Sequence, residues 1–425
     1  MISRCRRSLV LTLVGVVSLV VPSIAKADVV LDWNKIAIET AIANSANPFQ
    51  QARFAAIVQL SVFEAVNAIT RDYQPYLGTI SAPSGASAEA AAIAAAHKVL
   101  KTYFMASAAS LDDARTKSLM AIPDGQAKTD GIATGEAAAA AMIALRASDN
   151  SSPLTFYQPG SPADGLWQPT PLCPIDPATG TPRGGQFFNW QHVTPFGIPN
   201  AADFMPGPPP SLTSNLTLKD YSEVLDVGAS NSGTRPADRS EVARFYAATS
   251  PAYLLNLTAR QVASARGDSL SDNARALALL NMASSDALVT SFMTKYHYLL
   301  WRPETSIRAG GANDKAVADP SFAPYIGTPC FPSYPSNHAS GTSSGTEILR
   351  RLYGESGHDI EMKNPLNSAI ANITLRYSKF HDIAADVDDA RVYGGIHYRF
   401  DQVAGNDLGR NVATYVYKNN LRKTN

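Results

Sequence analysis

The sequence predicts an all-α protein made of packed helix bundles, and three observations carry that prediction. Apolar residues recur at helical spacing through most of the 425-residue chain, helix-start residues precede those runs, and no alternating stretch is long enough for a central strand. Asn47-Pro48 opens an amphipathic run to about Ile69, with proline at the first helical position, where its missing N–H costs nothing. Ser87 caps an Ala-rich run toward Tyr103, Ser110 with Asp113 resembles a capping box before the next run, and a further Ala-rich segment extends from about Gly125 to Ala147. From about Ser151 to Ser211 the texture turns to proline, glycine and aromatics; the aromatics (among them Phe156, Trp167, Phe188 and Trp190) favour a loop packed on the body over a disordered linker. Helices resume near Lys219 and continue with breaks to Leu421. The expected organisation is a leader over 1–27, an N-terminal helical bundle over 28–150, a crossing loop over 151–216 and a C-terminal helical bundle over 217–425 that carries the site.

Lys plus Arg (36) equals Asp plus Glu (36), so no global field favours nucleic acid or an anionic membrane, and any anion selectivity must be local. Residues 1–27 read as a secretory signal: Arg4, Arg6 and Arg7, an apolar stretch from Leu9 to Ala25 broken by Pro22, then Ala25-Lys26-Ala27. The Arg6-Arg7 pair leaves both the general and the twin-arginine export routes open. No later stretch reads as the roughly 18–20 apolar residues of a bilayer helix, so the mature protein is expected to be exported, periplasmic or extracellular, without stable membrane insertion. Once the leader and Cys5 are gone, Cys173 and Cys330 remain; export permits them to pair, and two free buried thiols are equally compatible with the sequence. The oligomeric state is not encoded in anything legible.

Chemistry concentrates in three separated stretches: KYHYLLWRP (Lys295–Pro303), YPSNHAS (Tyr334–Ser340) and ARVYGGIHYRFD (Ala390–Asp401). In the first, Asp272 reads as the cap of a helix running to Trp301 and stopping near Arg302, because Pro303 disfavours helical geometry before it. Lys295 and Arg302, seven apart, would then share one helix face about 10 Å apart along the axis. In the second, the prolines make a tight approach to a helix that starts near Ser336 and ends at Gly354; its free amides and dipole favour a phosphate-like anion, with the Ser336 hydroxyl and the acid-base group of His338 beside it. In the third, Arg391 is followed by His397 and Asp401 four apart. On a helix that spacing sets the carboxylate beside the imidazole, holding one ring N–H and freeing the other nitrogen. Two arginines, a lysine, two histidines, a serine and a carboxylate make a kit for a tetrahedral oxyanion.

The ordered set K-x6-R-P, P-S-x-H and R-x5-H-x3-D resembles the shared signature of the vanadium-dependent haloperoxidases and the type 2 phosphatidic acid phosphatases. GLWQPTP (Gly165–Pro171), WQHVTPFGI (Trp190–Ile198) and VLDWN (Val30–Asn34) look like the soluble, exported bacterial haloperoxidase-like branch. The resemblance implies an all-α fold with the anion site between helices. It also implies roles: Lys295, Arg302 and Arg391 neutralising the oxygens of vanadate or phosphate, Ser336 and the Asn337 amide completing the cradle, His338 as acid-base histidine, and His397, held by Asp401, bound to vanadium or attacking phosphorus. Asn337 stands where that family usually has glycine; if the position needs positive φ, asparagine is among the best tolerated substitutes. Phe331 resembles the aromatic lining the halide pocket of chloride-oxidising members, and Trp301 is a weaker candidate for the same pocket. Two activities share this kit: a haloperoxidase holding vanadate and using hydrogen peroxide to oxidise a halide, and an acid phosphatase acting on a small phosphomonoester through a phosphohistidine. A non-catalytic oxyanion-binding protein is the third reading.

Other signals fade. GDSLSDN (Gly267–Asn273) imitates an esterase nucleophile block but follows a helical run and has no downstream D-x-x-H, so it reads as a helix-to-helix turn. His97, His192, His297, His358 and His381 show no zinc spacing. Asp382, Asp386, Asp388 and Asp389 read as a solvated acidic face.

Overall fold

The computed structural model describes residues 28–424, so the leader reading lies outside the described residues. The fold is all-α, as expected, with thirteen α-helices and one two-stranded ribbon among the described residues. Asp28 caps α1 (Val29–Ala43) by accepting from the Val30 and Leu31 amides. Asn47 and Gln50 form a capping box on α2 (Pro48–Thr70), which has Pro48 at its first position. Ser87 caps α3 (Ala88–Tyr103) as expected. Helix α4 (Ala108–Met120) instead follows Ser107 with no side-chain cap, and the Ser110 hydroxyl bonds back to the Ser107 carbonyl, so the expected capping box is absent. Then come α5 (Gln126–Leu145), α6 (Asn215–Val227), α7 (Ala237–Ala247), α8 (Pro251–Arg266), α9 (Leu270–Tyr298), α10 (Pro303–Ala309), α11 (Asn337–Tyr353), α12 (Phe380–Val392) and α13 (Arg399–Asn419).

One continuous apolar core joins the N-terminal helices to the C-terminal ones, with α9 threaded through its centre; Leu277, Leu280, Met282, Val289 and Phe292 have almost no exposure. Helices α2 and α9 are long and apolar enough to cross a membrane, contrary to the sequence expectation. Most of each is buried inside the fold, which identifies them as core helices. GDSLSDN is a turn, with Gly267 in the left-handed region ending α8 (φ 68°) and Ser269 capping α9. Asp272 therefore sits in the first turn of α9 rather than at its cap.

Two further differences have physical causes. Strands β1 (Ser356–Met362) and β2 (Leu375–Lys379) pair antiparallel, Ile360 opposite Tyr377, where no strand is expected. Only Ile360 and Met362 of β1 are buried, so there is little alternation for a sequence reading to detect. The acidic face of α12 is not simply solvated: Arg239 bridges Asp386 and Asp389, Arg399 also holds Asp389, and Asp388 is half-buried against Asn406 with its carboxyl pushed up to about 6 by desolvation.

The proline- and aromatic-rich segment packs on the body, burying Trp167, Trp190 and Phe196. It is fastened at two points. A Cys173–Cys330 disulfide closes 157 residues of chain, resolving the open choice between bridge and free thiols. Asp286, fully buried on α9, accepts the backbone N–H groups of Phe196, Gly197 and Ile198 at 2.6, 2.7 and 3.0 Å; burial pushes its carboxyl up to about 6 despite these donors. Asp286→Asn presents an NH2 group to amides that need an acceptor, so stability should fall by about 2–4 kcal/mol in urea unfolding. A loss below about 1 kcal/mol would show that the segment is held elsewhere.

Candidate functional site

All three motif stretches converge, although two do so differently from the expected helix geometry. Helix α9 ends at Tyr298, with Leu299 left-handed (φ 57°), so Lys295 lies in its last turn while Arg302 lies beyond it as the extended residue before α10. The one-face arrangement is thus incorrect: the chain turns between the two cations, and Arg302 approaches from a separate segment. Likewise His397 and Asp401 do not share a helix. His397 lies in the turn between α12 and α13, Tyr398 caps α13, and Asp401 is the third residue of its first turn, reaching back to the Tyr398 amide at 3.2 Å and to His397 Nδ1 at 2.8 Å. Their spacing gives the expected contact through a capping box rather than through a helix face. Gly395, left-handed at φ 80°, lets the chain turn between Arg391 and His397; its α-carbon packs against the Gly228 carbonyl, where a Cβ would clash.

The second stretch folds as expected. Ser336 caps α11 and accepts from the Ala339 amide at 3.3 Å. Its own amide donates to the Asp401 carbonyl at 3.0 Å, tying the starts of α11 and α13 together. Gly409 makes this possible one turn along: a Cβ there would sit 2.3 Å from the Ser340 carbonyl oxygen. Asn337 is the first helical residue of α11 and is not in the left-handed region, so no positive-φ requirement explains it.

Lys295, Arg302, Ser336 and Asp401 have no measurable exposure, and Arg391, His397 and Asn337 are buried as well. Lys295 Nζ donates to the carbonyls of Pro332 (2.9 Å), Ser333 (2.7 Å) and Pro335, which uses all three of its donors on one loop. Arg302 donates through Nε to the Phe331 carbonyl at 2.7 Å and through Nη1 to the Ile396 carbonyl and His397 Nε2, each at 3.0 Å. Its Nη2 has no protein partner, nor have Nε and Nη1 of Arg391. The Phe331 ring lies 5.3 Å from Lys295 Nζ and 5.0 Å from the Arg302 guanidinium, a cation–π platform under both. Trp301 packs elsewhere, in the apolar cluster of Tyr221, Ile307 and Phe322.

Three buried cations thus face one nearby carboxylate. Burial depresses Arg302 and Arg391 to about 9, Arg302 further lowering Arg391, and drives Lys295 well below its ordinary range. Burial, then Arg302, Lys295 and Arg391, hold His397 well below the usual histidine range. A neutral ring with its proton on Nδ1 toward Asp401 leaves the Nε2 lone pair toward Arg302. Burial raises the Asp401 carboxyl, opposed by the Ser333 hydroxyl at 2.5 Å and the cations. Ser333, which also lies 3.3 Å from His397 Nδ1, was invisible to sequence reasoning: it has no motif of its own, and its partners lie 64 and 68 residues away.

His338 is the partly exposed member and lines a cleft of about 370 Å3 with Gln51, Thr249, Ser250, Tyr253 and Asn364. Burial and Arg391 depress its pKa well below the usual range, against a hydrogen bond to the Tyr246 backbone. Of the site residues, His338 alone lines this cleft.

Buried, unpaired guanidinium donors in net excess over carboxylate favour an anionic acceptor. An oxyanion with several acceptor oxygens fits both the charge and the planar forks of the arginines. Among the described residues no group of three or more His, Cys, Asp or Glu side chains is placed to hold a bare metal cation.

The family described as the VCPO second helical-bundle domain matches residues 275–425, the part containing every cradle residue. Vanadium chloroperoxidase of Curvularia inaequalis is 24% identical over 180 residues, covering 32% of this chain and 29% of that protein, so the chain matches less than a third of this relative's length. The crystal structure of the first bacterial vanadium-dependent iodoperoxidase superposes with a TM-score of 0.79 at 23% identity, covering 93% of this chain and 97% of that one. The apo form of a bacterial vanadium-dependent chloroperoxidase gives 0.69 at 14% identity, covering 87% of this chain and 94% of that one. At these identities the superpositions speak for the fold.

Because His338 and His397 bind fewer protons folded than unfolded, stability should be greatest above the ordinary histidine pKa of about 6.5 and fall as pH drops through it, by up to about 1.4 kcal/mol per histidine per pH unit. The carboxyls of Asp286, Asp388 and Asp401, each raised to about 6, act oppositely as pH falls toward that value, so the contribution of a site histidine is read as the difference between wild type and His338→Asn in unfolding midpoints from pH 8 to 6. A flat or inverted difference profile would mean that the ring is charged in the fold.

Proposed function

We propose, from the match of residues 275–425 to the VCPO second helical-bundle domain and the likeness to vanadium haloperoxidases, that the chain is a vanadate-dependent haloperoxidase that uses hydrogen peroxide to oxidise a halide. The observation that carries this reading is the set of unpartnered guanidinium nitrogens on Arg302 and Arg391, buried beside a neutral imidazole. The names of the similar structures, iodoperoxidase and chloroperoxidase, favour peroxide chemistry over ester hydrolysis. The Cys173–Cys330 bridge supports an oxidising compartment, in keeping with export.

In this reading Arg302 and Arg391 bind the vanadate oxygens, the start of α11 contributes Ser336 and its free amides, and Lys295 adds charge while bracing the loop. His397 Nε2 would hold the vanadate, with Arg302 Nη1 exchanging that nitrogen for an anion oxygen. Asp401 keeps the His397 proton on Nδ1 and so keeps Nε2 basic. Bound vanadate supplies the electrophilic centre at which peroxide becomes reactive toward halide. His338, which lines the cleft, would accept a proton from incoming peroxide and return it to the water that leaves. Binding of an anion offsets Arg391, Lys295 and Arg302, which raises the pKa of His338 toward the range where it can do both. Phe331, under the cations, limits water near the halide. The same neutral Nε2, oriented by Asp401, is also the geometry of a nucleophile toward phosphorus, so phosphomonoester hydrolysis is the competing outcome.

Orthovanadate-reconstituted protein should halogenate a dye in the presence of peroxide and bromide or iodide, and His397→Ala should reduce this to background. Hydrolysis of p-nitrophenyl phosphate by the vanadate-free protein without any halogenation would overturn the assignment. Asp401→Asn should lower vanadate affinity or turnover roughly 10- to 100-fold, the usual effect of losing the group that orients a ligating histidine.

A further inference from the structure

The crossing segment meets the cradle at points outside the three motifs. Its residue Leu166 lies antiparallel to Leu300, in the turn that separates Lys295 from Arg302. The Trp167 amide donates to the Leu299 carbonyl at 2.7 Å, and the Trp301 amide donates to the Gly165 carbonyl at 2.8 Å. This turn has left α9 and not yet entered α10, so it has no helical ladder of its own and takes its partners from neighbouring segments. From its middle the Leu300 carbonyl accepts the Ser333 amide at 2.9 Å, and the Ser333 hydroxyl in turn donates to Asp401, which holds His397. A second set of contacts fixes the start of the same loop. Cys330 is bridged to Cys173, and its carbonyl accepts the Gln186 amide at 2.8 Å. The next residue, Phe331, gives its carbonyl to Arg302 and its ring to both cations. The segment is also closed on itself: Tyr157 and Gly185 exchange both backbone bonds at 2.8 Å, and Tyr157 and Trp167 pack beside the buried disulfide.

We propose that residues 157–186 form a strap that positions the oxyanion cradle, with Trp167 and the Cys173–Cys330 bridge as its positioning residues. They act through Arg302, Phe331 and Ser333. This rests on the oxyanion reading of the site and adds to it a dependence of anion affinity on a segment that supplies no cradle residue. Directional donors hold an anion tightly only when they are already in place. Once the strap is opened, the turn at 299–301 and the loop at 330–335 each lose an outer support, and the anion must order them at the expense of its own binding.

The test is calorimetric titration of the anion-free protein with orthovanadate, and separately with inorganic phosphate, at a temperature where every variant is folded. The double variant Cys173→Ser with Cys330→Ser should bind both roughly 10-fold more weakly, the size expected when a few ordered groups become mobile. Trp167→Leu, which keeps the bridge and loosens the packing beside it, should cost a smaller factor of about three. Leu100→Ala is the comparison: it opens the α3 core, away from the strap, and should lower the unfolding midpoint while binding both anions as wild type does. A segment that only stabilises the fold would behave like Leu100→Ala, and added anion would raise the midpoint by as much as in wild type. Unchanged affinity in the double serine variant, with that same rise, overturns the proposal. Should the double variant not fold, unchanged affinity in Trp167→Leu overturns it equally. Wild-type protein that binds neither anion would remove the oxyanion reading itself, and the strap proposal with it.

Discussion

Burial of three cations in front of one carboxylate is the constraint on which the site depends. An ammonium and two guanidiniums leave water only if other groups replace their hydration. Here most of the replacement is backbone: the carbonyls of Phe331, Pro332, Ser333, Pro335 and Ile396 all point at Lys295 or Arg302. That requirement explains why the 331–335 segment is proline-rich and irregular. A helix or strand would spend those carbonyls on its own ladder, whereas an irregular loop held by a buried lysine can offer them to charge. What the backbone leaves unserved is Nη2 of Arg302 together with Nε and Nη1 of Arg391, and that remainder is the basis of the proposed anion site.

The rest of the fold keeps this arrangement rigid. Helix α9 delivers Lys295 and Ser291 from the centre of the core, so neither can move without disturbing packing on every side. Helices α11 and α13 approach until backbone meets backbone near Gly405 and Gly409, which brings Ser336 and Asp401 together from starts 62 residues apart in sequence. The crossing segment is pinned to α9 by Asp286 and to the loop beside Phe331 by the disulfide. Polar contacts that look unrelated to chemistry thus hold the two faces of the pocket in register.

Electrostatics divides the two histidines. Both are depressed by burial and by the cations, but His397 has Asp401 on one nitrogen and Arg302 on the other, whereas His338 faces a cleft. The first is fixed in one tautomer and suited to holding a central atom. The second can exchange protons with whatever enters, and its pKa responds to the charge placed on Arg391.

The sequence by itself determined the helical class and the helix starts at Pro48, Ala88 and Asn337, and it named the charged residues that the structure brings together. Caps such as Asn47, Ser87 and Ser336 act through contacts within three residues, and a chain with this order of Lys, Arg, Ser, His, Arg, His and Asp carries its chemistry in residue type. It misplaced what depends on where the chain leaves a helix: Arg302 beyond α9, His397 before α13, Asp272 inside a first turn, and a β-ribbon with little alternation. Only tertiary structure decided the partners. The choice of Ser333 for Asp401, of three loop carbonyls for Lys295, of Ser291 for Asn337 and of Cys173 for Cys330 joins residues separated by 37 to 157 positions. Local propensity extends over a few residues; contacts of that range exist only once the core has fixed the distances between helices.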